Sequence, residues 1–136
     1  YFIVYHNLSY TWYNYVGDFM DLIGKSNVEI KKSKFLGFCY HIESEEEASK
    51  ILEELRTEHK KARHIPYAYI VSNTARKSDD KEPTNTAGLP LYNLLLMRKM
   101  DNVLIAVVRY FGGTKLGASN LLRAYLDAAK KAIDNN

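Results

Sequence analysis

"NVLIAVVRYFGGTKLGASNLLRAY" (residues 102–125) decides the fold. Val103 to Val108 are six apolar residues in a row. Such a run suits a central strand covered on both faces, or on one face of a small sheet. Gly112 and Gly113 then break the chain. Beyond them Leu121, Leu122, Tyr125, Ala128, Ala129, Ala132 and Ile133 recur at helical spacing. A strand, a tight glycine turn and an amphipathic helix follow in that order. Backbone N–H groups at a helix start, with Lys115 beside them, make a plausible anion site. The spacing matches neither G-x-x-x-x-G-K-[ST] nor G-x-G-x-x-G. From spacing alone, turn geometry explains the glycines better than phosphate binding does.

Working outward, "VEIKKSKFLGFCYHI" (28–42) reads as two short strands or one bent one. "SEEEASKILEELRTEHK" opens with Ser44 and Glu47 at capping-box spacing. Ala48, Ile51, Leu52 and Leu55 mark the buried stripe of that helix. "YAYIVSN" (67–73) reads as a strand, and "TARKSDDKEPTNTAG" (74–88) as a polar loop. "LPLYNLLLMRKM" suits a buried helix with Pro90 in its first turn. The order β, β, α, β, loop, α, β, α predicts an α+β fold, a two-layer α/β sandwich with one helical layer on one sheet.

The 136 residues make one domain, and the net charge of +3 permits an anionic partner without demanding one. Cys39 is the one cysteine, which favours a reducing, cytoplasmic setting. No window reaches the ~18 apolar residues of a membrane span. Residues 1–19 hold eight of the seventeen aromatics and no methionine. They read either as an N-terminal extension outside the domain at 20–136 or as an added arm.

Three polar stretches offer chemistry. Lys60, Lys61, Arg63 and His64 form a basic junction, either a solvated helix C-cap or an anion-binding edge with a histidine for proton transfer. His59 and His64 lack the further ligands a metal site needs. Asp79, Asp80 and Glu82 could hold a divalent cation, supply a base, form a solvated turn or pair with arginines. The third is the opening stretch, Arg109 to Gly117. Among them no nucleophile–base pair stands out.

Together "ARH…YAY", "SDDKEPTNTAGLP" and "VVRYFGGTKLGASNLLRAY" resemble the YigZ/Impact family, in order and spacing, from about Ser33 to Ile133. The resemblance implies a fold like the second domain of small-subunit ribosomal protein five and a domain of the translocating elongation factor. It implies a role in regulation of translation. With the mild basicity and the lack of a nucleophile–base pair, the favoured reading is a non-enzymatic module that binds a protein partner or RNA and the ribosome. Eukaryotic members bind the ribosome-associated activator of the amino-acid-starvation kinase and carry an N-terminal RWD domain, whereas bacterial members carry a C-terminal ferredoxin-like domain. This chain shows neither and is expected to be a minimal member or a fragment.

By matching, the binding positions are Arg63, His64, Asp79, Asp80, Glu82, Thr86, Arg109, Tyr110, Gly112, Gly113, Lys115 and Arg123. No catalytic residue is assigned, and no cofactor or metal is expected. The alternative reading is an enzyme or binder acting on a phosphorylated or nucleotide ligand, with loops 79–82 and 112–117 forming the site. Pro66, Lys81, Ser119 and Asn120 depart from the family pattern, the last three replacing glycines. Loops 78–88 and 109–115 are expected side by side, because charges at that density need compensation.

Overall fold

A computed structural model describes residues 21–134; the aromatic segment 1–19 lies outside the described residues. The elements run β1 (Leu22–Ile30), β2 (Ser33–His41), α1 (Glu45–Glu58), β3 (Tyr67–Val71), β4 (Thr74–Ser78), α2 (Gly88–Met97), β5 (Val103–Tyr110) and α3 (Ala118–Ile133). The five strands form one antiparallel sheet in the order β1-β2-β5-β3-β4. The α+β class read from the sequence is what the chain adopts.

The apolar run of β5 explains the layering. Val103, Ile105 and Val107 face a core built with Leu91, Leu94 and Leu95 of α2 and with Leu121, Ala124, Tyr125 and Ala128 of α3. Leu104, Ala106 and Val108 point the other way, into Ala48, Ile51, Leu52 and Leu55 of α1. Thus α2 and α3 form the expected helical layer, while α1 covers the opposite face. Every second residue of β5 is as apolar as its neighbours, so that face also needs shelter from water.

Two local differences from the expected pattern have clear causes. The loop 74–88 begins with β4, a strand whose residues are all half-buried or exposed. It lies at the sheet edge, where polar side chains protect against unwanted pairing. Leu122, expected on the buried stripe, is 38% exposed, and Ala124 takes the inward position.

Packing of α3 on the sheet depends on Gly37. A Cβ there would stand 2.5 Å from the Ala128 carbonyl oxygen, so only glycine lets helix and sheet approach this closely. The same carbonyl accepts a 2.6 Å hydrogen bond from Ser26 Oγ of β1. The middle of α3 is thereby joined to β1 and lies hard against β2.

Candidate functional site

The three polar stretches meet at one end of the sheet. Arg63 N donates to Arg109 O at 2.8 Å and Arg109 N to His64 O at 2.9 Å, a bridge that fixes the basic junction beside the last turn of β5. The acidic loop closes on the same junction through Asp80. Its backbone oxygen lies 2.7 Å from His64 Nδ1, and its carboxylate accepts from Ile65 N at 2.7 Å. The adjacency expected for loops 78–88 and 109–115 is therefore present.

The three carboxylates have three different jobs. Asp79 reaches across the loop to the start of α2, accepting from Asn85 N at 2.9 Å, Ala87 N at 3.1 Å and Gly88 N at 2.7 Å. It supplies the cap that the N-cap residue Ala87 has no side chain to provide. Asp80 holds His64 and Ile65 in place. Glu82 is buried: its Oε2 accepts from Arg109 Nη1 at 2.7 Å and from the Tyr125 hydroxyl. Burial, then this hydrogen bond, holds the Tyr125 hydroxyl far above the ordinary phenol range. Of the readings open for this loop, pairing with an arginine describes Glu82 and turn-building describes Asp79 and Asp80. Among the described residues, no group of three or more His, Cys, Asp and Glu side chains could hold a metal ion.

A cleft of about 380 Å³ opens where these stretches converge. Arg63, His64, Lys81, Glu82, Arg109 and Lys115 form its polar wall. Pro83, Phe111, Leu116 and Leu121 form an apolar floor, and Gly117 and Ala118 bring the start of α3 to the rim. The Arg63 guanidinium carbon lies 4.6 Å from the centre of the Phe111 ring, a cation–π contact. Among the described residues, no carboxylate lies within ion-pair distance of Arg63, Lys81 or Lys115. Four cations thus face one carboxylate, which Arg109 already occupies.

Of the twelve positions matched from sequence, Arg63, His64, Glu82, Arg109 and Lys115 line the cleft. The other seven do not. Asp79, Asp80 and Thr86 build the loop, Thr86 donating to Pro83 O at 2.6 Å. Tyr110 points to the α1 side, where its hydroxyl lies 2.5 Å from His59 Nδ1. Gly112 fits where a Cβ would stand 2.2 Å from the Lys32 carbonyl carbon, and its N–H donates to Ser33 Oγ at 3.0 Å. Gly113 turns the chain at φ +100°, and Arg123 is exposed on α3. The glycine pair therefore serves turn geometry, while the helix start beyond it reaches the cleft.

A family model described as the Impact N-terminal domain matches residues 31–133. The chain belongs to the Impact family. It is similar to the IMPACT family member YvyE of Bacillus subtilis, 32% identical over 115 residues, covering 82% of this chain and 53% of that protein. In structure it is similar to a hypothetical protein solved by crystallography, with TM-score 0.79 and 34% identity over 82% of this chain and 57% of the other. It is also similar to the two-domain translational regulator Yih1, with TM-score 0.55 and 25% identity over 83% of this chain and 46% of that one. The chain spans about half the length of the curated relatives it matches first.

Membership in the Impact family accounts for the motif stretches, but three participants within them are not among the twelve matched binding positions. Tyr125 reads from the sequence as part of the buried helical stripe, yet its hydroxyl completes the Glu82 site. Lys81, a departure from the family pattern, adds a cation to the wall. Phe111 follows the last residue of β5, and it is 38% exposed on the apolar floor of the cleft.

Proposed function

We propose that this Impact-family domain is a non-enzymatic module of translation regulation, binding an anionic segment of a protein partner through the cleft. Its setting on this reading is the cytoplasm. One observation carries the reading: Arg63, Lys81 and Lys115 surround an apolar floor with no carboxylate partner among the described residues. Uncompensated cations at a partly apolar surface favour, and steer, an oppositely charged partner. The likeness to the translational regulator Yih1, and to the protein IMPACT homolog of Saccharomyces cerevisiae at 35% identity over 92 residues, supports the regulatory role. Among the described residues no helix is long and apolar enough to cross a membrane.

A photo-crosslinking residue at exposed Thr84, beside the cleft, tests this in growing cells. The expected adduct is a protein of the translation machinery, lost in the Arg63→Glu/Lys115→Glu chain. Adducts to RNA alone, or adducts unchanged by charge reversal, overturn the proposal.

A second reading has its own support. Lys115 and the uncapped start of α3 share the cleft with His64 Nε2 and Glu82 Oε1, which lie 3.7 Å apart, and the donors at that helix start favour a phosphorylated small ligand.

A further inference from the structure

The cleft's charge suits an acidic partner, yet three of its features ask for something more defined. The first is a pair of facing acceptors. The Asp80 carbonyl can only accept, so His64 Nδ1 must carry a proton to hydrogen-bond it at 2.7 Å. A neutral imidazole then presents a bare Nε2, 3.7 Å from Glu82 Oε1. The other oxygen, Oε2, already takes the Arg109 and Tyr125 donors. Nε2 and Oε1 together are shaped for a donor placed between them, as a hydroxyl would be.

The second feature is a buried donor without an acceptor. Arg109 Nε has no hydrogen-bond partner, although the side chain is only 7% exposed and lines the cleft. Buried N–H groups of a guanidinium are rarely left so. The third feature is the start of α3, sixteen residues long, with no side-chain cap and no acidic residue in its first turn. Its first amides and positive dipole end open beside Lys115. Lys115, Arg109 and the start of α3 thus bring donors to the same cleft in which His64 Nε2 and Glu82 Oε1 offer acceptors, beside the apolar Phe111, Leu116 and Leu121. The volume of about 380 Å³ is that of a small-molecule pocket.

We infer that the cleft holds a small phosphate monoester carrying a free hydroxyl group. Its phosphate lies against Lys115, Arg109 Nε–H and the first amides of α3, and its hydroxyl donates to His64 Nε2 and Glu82 Oε1. The ligand is bound without turnover, and the inference uses the cleft of the proposed function without depending on the protein partner.

The test titrates the purified chain, with no partner present, against ribose 5-phosphate, inorganic phosphate, ribose and a single-stranded oligonucleotide. Calorimetry and backbone amide shifts in the unmodified chain are the readouts. Ribose 5-phosphate is expected to move the Lys115, Gly117 and Ala118 amides and to bind at least about tenfold more tightly than phosphate, with ribose silent. Lys115→Gln loses about tenfold to a hundredfold for both anions. His64→Phe lowers ribose 5-phosphate to the level of phosphate and leaves phosphate unchanged. Equal affinities for the two anions, or no amide shift at millimolar ligand, overturn the inference. So does tighter binding of the oligonucleotide that weakens steeply with salt, which is the mark of a nucleic-acid backbone. The crosslinking result at Thr84 stands or falls separately.

Discussion

Glu82 and Arg109 meet at 2.7 Å with side chains only 2% and 7% exposed, a charged pair removed from water. The Tyr125 hydroxyl shares the same carboxylate oxygen, so one acidic side chain ties loop, β5 and α3 together. Breaking such a pair from one side leaves the other charge buried and uncompensated. Glu82→Ala is expected to lower the unfolding free energy by about 3–5 kcal/mol in urea denaturation. Tyr125→Phe removes a single hydrogen bond and costs about 1–2 kcal/mol. A cost for Glu82→Ala no greater than for Tyr125→Phe would show the pair to be solvated.

The adjacent glycines should respond differently to the same change. At Gly112 a Cβ meets the backbone of Lys32 at 2.2 Å, and backbone cannot swing aside. Gly112→Ala is expected to cost about 3 kcal/mol or more, as severe overpacking does. At Gly113 nothing lies within 4 Å, and the obstacle is φ +100° alone. Gly113→Ala should cost about 1–2 kcal/mol. Thermal unfolding of the two variants reads this order directly, and equal costs would contradict the close approach at Gly112.

Asp79 tests whether the acidic loop is structural. With three amides at the start of α2 depending on it, Asp79→Ala should lose about 1–2 kcal/mol, and Asp79→Asn less because one acceptor remains. Affinity for an anionic probe should stay at the parent level in the folded variant. Loss of anion binding with unchanged stability would return Asp79 to the site.

Alkaline pH should loosen the fold through buried weak acids. Burial pushes the Cys39 thiol from its ordinary 9.0 up to about 12. Burial, then the hydrogen bond to Glu45, pushes the Tyr69 phenol from 10.0 up to about 12. The folded chain keeps these protons after the unfolded chain has released them. Their stabilisation is therefore complete below about pH 9 and lost progressively as pH rises toward about 12. Denaturation midpoints across that window should fall, and less steeply in Cys39→Ala. At pH 8 the native thiol should resist a disulfide-exchange reagent and react only when unfolded.

How far the sequence reaches differs from element to element. The run Val103–Val108 is legible because six apolar residues in a row have few homes besides a covered strand. The start of α1 is legible because Ser44 and Glu47 interact locally: Ser44 Oγ accepts from Glu47 N at 3.1 Å. Its side of the sheet is not, since an amphipathic stripe states that a face is buried and not against which layer. Edge strand β4 carries no apolar contrast in "TARKS" and so reads as loop. Within the acidic loop the composition announces polarity, but only three-dimensional placement separates Asp79 on amides from Glu82 on Arg109. The motif shows where the polar stretches gather; which of them face the cleft depends on side-chain direction at a turn.

The close seating of α3 has a consequence for recognition. Because Gly37 and Ser26 grip the helix at Ala128, its axis cannot slide or tilt without opening the sheet contact. The amides at Gly117 and Ala118 therefore stand in place before any ligand arrives. Little ordering free energy is then deducted from an anion's affinity. Any variant that loosens the grip at position 37 should weaken binding at the far end of the helix while touching no atom of the ligand.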